Sequence, residues 1–256
     1  MTTAIEFENV SKKFQGAQEY AVDHLNLSIQ HGELITILGS SGCGKTTLLK
    51  MVNRLYDPDS GHIRFYGDDI SQMDQVQLRR KIGYVIQQVG LFPHMTIARN
   101  IAVVPSLLKW SPEKIGARVD ELLTLVGLKP KEFKNRYPAQ LSGGQQQRVG
   151  LARALAVNPD VMLLDEPFGA IDAITRNKLQ DELLQIHKSA SKTFLFVTHD
   201  IMEALKLGTK VLIMQDGKVM QFDTPTNIVA QPANEFVKSL LEAVKMQGYL
   251  WKEELA

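Results

Sequence analysis

The chain has 256 residues, enough for one large α/β domain with a small appendage or for two modest domains. Lys and Arg number 29 against 28 Asp and Glu, and the formal net charge of +1 excludes a strongly basic footprint for non-specific nucleic-acid binding. The single cysteine, Cys43, excludes an intrachain disulfide and a zinc site built from several cysteines. Residues 1–8 lack the apolar run of a secretory leader, and no apolar stretch approaches the ~20 residues that span a bilayer, so we expect a soluble, cytoplasmic protein.

Apolar patterning predicts two kinds of strand. Residues 5–10, 21–29 and 62–66 have the weaker or alternating pattern of half-buried strands, and we expect them to form an antiparallel layer. Continuous apolar runs, typical of strands buried on both faces, occupy residues 34–38, 82–86, 161–164, 193–197 and 211–214. Because helical segments separate these runs, the sequence predicts an α/β fold with a mostly parallel sheet and crossover helices.

The middle of the chain has a different pattern. Between residues 90 and 156 there is little strand signal, and apolar residues recur at helical spacing, which predicts a helical insertion. A terminal helix is predicted over residues 235–244. We therefore expect a core with its antiparallel layer, a helical subdomain and a helical tail, with the bounds 1–89 plus 157–230, 90–156 and 231–256.

A phosphate-binding loop follows the first buried strand and precedes a helical pattern over residues 46–56. The match to G-x-x-x-x-G-K-[ST] consists of Gly39, Ser40, Ser41, Gly42, Cys43, Gly44, Lys45 and Thr46. Glycines allow the backbone N–H groups to wrap around phosphates, and Lys45 supplies a positive charge to the β- and γ-phosphates. The Thr46 hydroxyl is a candidate Mg²⁺ ligand, and Thr47 joins the nucleotide-binding candidates.

Two carboxylates follow the buried run at 161–164. Asp165, the first, is predicted to hold Mg²⁺, as in other phosphate-loop enzymes. Glu166, the second, is placed to polarise an attacking water as a general base. An acidic pair after a strand is by itself often a solvated loop, and the preceding phosphate loop favours the catalytic interpretation.

Three further side chains are candidates for the same site. Gln87 follows the run at 82–86 and could reach Mg²⁺ or the water, with the adjacent Gln88 as an alternative. His199 follows the run at 193–197 and can donate a hydrogen bond to the γ-phosphate. Phe14 could stack on adenine or belong to the core.

A second glycine-rich helix start lies too far along the chain to belong to the first. It consists of Leu141, Ser142, Gly143, Gly144 and Gln145. Ser142 is a good N-cap, and a helix start of this kind is a favourable anion site. Its distance from the phosphate loop suggests an ATP site that another subunit completes.

These elements together resemble the ATP-binding cassette (ABC) subunits of transporters. The resemblance covers nearly the whole chain and rests, in order, on the phosphate loop, Gln87, residues 141–145, Asp165 with Glu166, the turn at 168–172, and His199. It implies the ABC ATPase fold, with ATP and Mg²⁺ as cofactors. It also implies that residues 142–144 face the γ-phosphate bound by a second cassette, in an expected homodimer, and that Asp172 links the two sites.

The resemblance also implies partners. Integral membrane permeases would dock near Gln87 and the helical insertion, at the cytoplasmic face of the membrane, and an extracytoplasmic solute-binding protein would act indirectly. Nucleic acid is not an expected partner. The apolar segment 91–95 could belong to the docking surface or pack on its own helical domain.

Finer similarities point to uptake of quaternary-amine osmoprotectants. Residues 87–94, 100–105 with Lys109 and Trp110, and 168–176 resemble the glycine betaine, choline and proline betaine subfamily. Ergothioneine, carnitine, an amino acid or a sulfonate are alternative cargoes, and a detached exporter cassette is a rival. We expect no paired regulatory domains after residue 256. A DNA-repair cassette is disfavoured, since no sustained heptads or cysteines separate Lys45 from Ser142.

Cys43 has two possible properties. Because it lies inside the phosphate loop, its alkylation could block ATP binding, with ATP protecting it. Alternatively it is an inert buried thiol.

Overall fold

The computed structural model describes residues 2–87, 90–169, 171, 173–190 and 192–246. The described strands are β1 Thr3–Lys12, β2 Val22–Gln30, β3 Leu34–Gly39, β4 Ser60–Phe65, β5 Asp68–Asp69, β6 Ile82–Val85, β7 Val161–Asp165, β8 Thr193–Thr198, β9 Lys210–Gln215 and β10 Lys218–Asp223. The described helices are α1 Lys45–Val52, α2 Gln75–Arg80, α3 Ile97–Leu107, α4 Pro112–Leu125, α5 Pro130–Phe133, α6 Gly143–Ala154, α7 Ala173–Ala190, α8 Ile201–Leu207, α9 Pro225–Ala230 and α10 Glu235–Met246.

Contacts divide the chain into two units, Met1–Leu78 with Thr193–Ala256, and Arg79–Lys192. In the first unit, β1 lies between β2 and β4 in an antiparallel sheet of order β2-β1-β4-β5. The predicted antiparallel layer is therefore confirmed. β5 was not predicted.

A second sheet of the first unit contains the strand that leads into the phosphate loop. β3 pairs in parallel with both β8 and β9, and β10 adds an antiparallel edge to β9. Every residue of β3 and β8 is buried, as their continuous apolar sequences predict. The carboxyl ends of these parallel strands are therefore held by a buried sheet.

The C-terminal helices are part of the first unit's core. Ile228 of α9 and Val237 and Leu241 of α10 belong to a buried cluster with Leu38 at the end of β3. The predicted terminal helix is confirmed. Its packing stabilises the same sheet edge from which the phosphate loop leaves.

The second unit combines a parallel strand pair with helices. β6 and β7 run parallel, and α3, α4, α5 and α6 occupy the interval for which helices were predicted. None of the helices in the described part of the chain combines the length and the hydropathy of a transmembrane span.

Candidate nucleotide site

The phosphate loop joins β3 to α1 through glycines that the backbone requires. Gly42 and Gly44 have φ angles of 84° and 105°, in the left-handed region that disfavours residues with a Cβ atom. A Cβ atom at Gly44 would also lie 2.0 Å from the carbonyl oxygen of Ala21. Ser41 and Gly42 are exposed, so the loop presents its outer surface to solvent.

Lys45 lies beneath this loop with only 5% of its surface exposed. Its ammonium donates to the carbonyl oxygens of Gly39, at 2.7 Å, and Ser40, at 2.8 Å. A buried ammonium held by neutral carbonyls is favourable for binding an anion, because an anion adds the opposite charge that the carbonyls lack. Thr46 and Thr47, in the first turn of α1, are half-buried. The residues present therefore fit a polyphosphate.

Cys43 has the properties of a buried thiol. Only 3% of its surface is exposed, and burial raises its pKa above the ordinary value, while the nearby Lys45 charge acts more weakly in the opposite direction. Its carbonyl accepts a hydrogen bond from the N–H of Gly217 at 3.3 Å. Of the two properties considered from the sequence, the structure favours the inert thiol.

His199 and Phe14 lie in the same unit as the phosphate loop. His199 follows β8 and is exposed, and the next residue, Asp200, caps α8 by accepting hydrogen bonds from the N–H groups of Met202 and Glu203. Phe14 is 38% exposed and is therefore not a core residue. Its ring meets Tyr56 edge-on, with centroids 5.2 Å apart.

In the second unit, the acidic pair lies at the end of β7. Asp165 is buried, and Tyr84 donates to its Oδ2 at 3.5 Å. Glu166 is half-buried and has a φ of 45°, a strained value for a residue with a side chain. Gln87 donates from Nε2 to Glu166 Oε2 at 3.2 Å. The structure thus brings Gln87 and Glu166 together at the ends of neighbouring parallel strands.

The second glycine-rich segment forms the start of α6. Ser142 is its N-cap, and its Oγ accepts from the Gln145 N–H while Gln145 Oε1 accepts from the Ser142 N–H at 3.0 Å. Ser142 and Gly143 are exposed. A Cβ atom at Gly144 would lie 3.0 Å from Thr175 Cγ2 of α7, so glycine permits close helix packing there. An exposed and rigidly capped helix start results.

No motif in the sequence indicates a role for Gln147. This residue of α6 is buried, and its amide donates to the carbonyl oxygen of Pro167, which directly follows Glu166. Gln147 lies one turn after Gly143, on the inward face of the helix. A polar residue on a buried helix face requires a hydrogen-bond partner. The position of Gln147 on that face is therefore the feature of the sequence that could have indicated this contact.

The backbone of the apolar segment 91–95 is held by hydrogen bonds from within its own unit. Asn100 is fully buried, accepts from the Phe92 N–H at 2.8 Å, and donates to the carbonyls of Phe92 and Met95, each at 3.1 Å. Arg153 lies 5.9 Å from the Phe92 ring centroid, yet the Phe92 side chain remains exposed. The backbone of this segment is therefore fixed, while an aromatic side chain is available at the surface.

Some candidates lie outside the described residues. They are Gln88, the alternative to Gln87, and Asp172, the predicted link between two sites. No group of three or more His, Cys, Asp or Glu side chains that could hold a metal occurs among the residues that the structure describes.

A family model described as "ABC transporter" matches residues 22–169. The chain belongs to the ABC transporter family. The matched segment contains the phosphate loop, the start of α6 and the acidic end of β7. The predicted ABC ATPase fold is confirmed as well. A solved dimeric structure of an ATP-binding cassette in a post-hydrolysis state, bound to ADP and Pi, is 35% identical, with a TM-score of 0.76, and the match covers 86% of this chain and 98% of that one.

This chain is similar to the ATP-binding proteins of two transport systems. The "glycine betaine/carnitine/choline transport ATP-binding protein OpuCA" of Bacillus subtilis is 52% identical over 93% of this chain. The "glycine betaine uptake system ATP-binding protein YehX" of Escherichia coli is 49% identical over 98% of this chain and 84% of its own length. The ABC chain spans only 59% to 62% of the length of several curated relatives that it matches, OpuCA among them.

Proposed function

We propose that this chain is the ATP-hydrolysing subunit of an ABC importer for small quaternary-amine osmoprotectants such as glycine betaine or choline. Lys45 supports the binding of ATP, because a buried ammonium under an open glycine loop suits a nucleotide's phosphates. The names of the relatives support the transported solute, since the cassette itself does not touch that solute.

Glu166 is the proposed general base. It would accept the proton of the attacking water, while the Gln87 amide, 3.2 Å away, orients the carboxylate. His199 would donate a hydrogen bond to the γ-phosphate, and Phe14 would stack on the adenine. We propose Asp172 as a contact between the two ATP sites of a dimer.

We propose Thr46, Gln87 and Asp165 as Mg²⁺ ligands. A hydroxyl, an amide and a carboxylate supply the hard oxygen donors that this ion prefers. Mg²⁺ would neutralise charge on the phosphates.

ATP binding would join two copies of the chain. The start of α6 from one copy, where Ser142 and Gly143 are exposed, would face the γ-phosphate held by the other copy, because the N–H groups and dipole of a helix start favour negative charge. Loss of the γ-phosphate would then release the dimer. Membrane permeases, docked near Gln87 and residues 91–95 at the cytoplasmic face, would convert this cycle into uptake, with an extracytoplasmic binding protein supplying the solute. We also propose that the chain divides into a core of residues 1–89 and 157–230, a helical subdomain of residues 90–156 and a tail of residues 231–256.

Substitution of Glu166 tests the enzymatic half. Glu166→Gln should bind Mg-ATP and lose about 10²-fold or more of turnover, because an amide cannot accept the proton. Lys45→Ala should instead weaken Mg-ATP binding itself. Unimpaired hydrolysis by Glu166→Gln would remove Glu166 from the role of base.

Uptake by the source organism tests the cargo. Deleting the gene should abolish the transport of labelled glycine betaine or choline that depends on this system. The wild-type gene should restore it, and the Glu166→Gln gene should not. Sulfate uptake serves as the control, and loss of sulfate uptake alone would overturn the quaternary-amine assignment.

A further inference from the structure

The segment between α1 and β4 contacts both Lys12, at the end of β1, and Phe14, two residues further on. We propose that two of its residues, Tyr56 and Asp59, are positioning residues that hold Phe14 as the stacking platform for a nucleobase. This inference rests on the proposed function, because it concerns the same ATP. It assigns to Tyr56 and Asp59 a role that no motif in the sequence indicated.

Asp59 fixes three consecutive residues just before Phe14. Its Oδ1 accepts from the Lys12 ammonium at 2.7 Å, and its Oδ2 accepts from the Lys13 N–H at 2.7 Å. Its own N–H donates to the Ser11 carbonyl at 2.8 Å. Hydrogen bonds from Lys12 and then Lys13 hold the pKa of Asp59 below its ordinary value, because both contacts favour the ionised carboxylate. One side chain thereby determines the direction in which the chain leaves β1.

Tyr56 supports the ring of Phe14 from the side. The two ring planes meet at 79° with centroids 5.2 Å apart, the edge-to-face geometry that aromatic pairs prefer. The N–H of Leu55 donates to the Lys50 carbonyl at 2.8 Å, which ties this segment to the last turn of α1. Because α1 begins at Lys45, the ring that supports Phe14 is anchored to the helix that carries the phosphate-binding lysine.

The exposure of the two rings argues against a purely structural pair. Phe14 and Tyr56 are 38% and 36% exposed, whereas Phe7 and Phe65 of the neighbouring strands are almost completely buried. The Lys12 and Lys50 ammonium groups lie 5.9 Å from the Phe14 centroid and 5.4 Å from the Tyr56 centroid. A half-exposed ring held in place by ionic and aromatic contacts is preorganised for stacking, because little freedom is lost when a base binds.

Binding of Mg-ATP and of Mg-tripolyphosphate distinguishes positioning of the base from a general structural role. Tripolyphosphate offers the phosphates without a base. Tyr56→Leu and Asp59→Ala should each raise the dissociation constant of Mg-ATP by about threefold to tenfold, the range expected for losing an aromatic contact. The same variants should bind Mg-tripolyphosphate within about twofold of wild type, since the phosphate loop is unchanged.

Two controls match these substitutions. Tyr56→Phe keeps the ring and should bind ATP as wild type does. Glu8→Gln removes a half-buried ion pair of the same sheet, that of Glu8 with Arg64 at 2.8 Å, and should also leave ATP binding unchanged. In a Phe14→Ala background, Tyr56→Leu should have no further effect on ATP, because the ring that it supports is gone.

Equal weakening of ATP and tripolyphosphate would overturn the positioning role, and so would variants that bind ATP as wild type does. If the wild-type chain bound neither Mg-ATP nor Mg-tripolyphosphate, the proposed function itself would be wrong. Isothermal titration calorimetry separates these results, since each ligand is measured directly on every variant.

Discussion

The thiol of Cys43 lies inside the phosphate loop but is almost completely buried, which determines its reactivity. The thiolate is the reacting species, and burial raises the pKa of this thiol. Native Cys43 should therefore react with iodoacetamide at least about tenfold more slowly than the urea-unfolded chain at the same pH. The native rate should rise with pH, because the thiolate fraction grows as pH approaches the raised pKa. Mass spectrometry of the alkylated chain measures both rates, and rapid native alkylation that Mg-ATP prevents would contradict this prediction.

Gln147 connects α6 to the residue after the proposed base. Gln147→Leu would leave the buried Pro167 carbonyl without its donor and should lower the free energy of unfolding by about 1–3 kcal/mol. The exposed Gln77 provides the control, and Gln77→Leu should change that free energy by less than about 0.5 kcal/mol. Urea titrations of the three proteins give the comparison. Equal stability of Gln147→Leu and wild type would show that water or another group replaces the amide.

At the scale of elements, substitutions at two serine N-caps distinguish an effect on helix stability from an effect on dimerisation. Ser142 caps α6 and Ser111 caps α4, each by accepting an N–H from three residues later. Ser142→Ala and Ser111→Ala should each lower the free energy of unfolding by about 1 kcal/mol. ATP-dependent dimerisation should weaken in Ser142→Ala alone, because only the start of α6 is proposed to face the partner's nucleotide. Sedimentation with Mg-ATP, in a Glu166→Gln background that blocks turnover, measures this, and equal dimerisation of both variants would count against the role of Ser142.

The elements that could be predicted were those with a strong pattern. The buried parallel strands were identified because continuous apolar runs are rare outside such strands. β5 was missed because it has only two residues, and β10 because none of its six residues is fully buried, so it lacks a continuous apolar run. Each follows a two-residue turn with positive φ, Tyr66-Gly67 and Asp216-Gly217. The second of these is an Asp-Gly hairpin signal that could have indicated β10. The predicted helix at 46–56 ends at Val52, since Arg54 has a φ of 47°.

The sequence predicts the parts of the candidate site but not their contacts. The glycine pattern predicts the phosphate loop, because few sequences place glycines, lysine and threonine at this spacing. The choice of Gln87 as the partner of Glu166 depends on a distance between two strand ends, which no local pattern encodes. The same applies to Asp59, whose three contacts join residues far apart in the chain.

At the scale of the whole molecule, the proposed dimer requires each ATP site to combine Lys45 of one copy with Ser142 of the other. In a Glu166→Gln background, where turnover is blocked, Lys45→Ala and Ser142→Arg should each prevent ATP-dependent dimerisation when present alone. Mixing the two variants should restore dimers, because one of the two sites in the mixed pair then has both an intact Lys45 and an intact Ser142. The other site carries both defects.

Light scattering after size exclusion in Mg-ATP measures the dimer fraction. Ser111→Arg, in place of Ser142→Arg, is the control for the added charge. This variant should dimerise by itself, without being mixed with Lys45→Ala. If mixing restores nothing while the Glu166→Gln chain dimerises normally, Lys45 and Ser142 do not act across the interface.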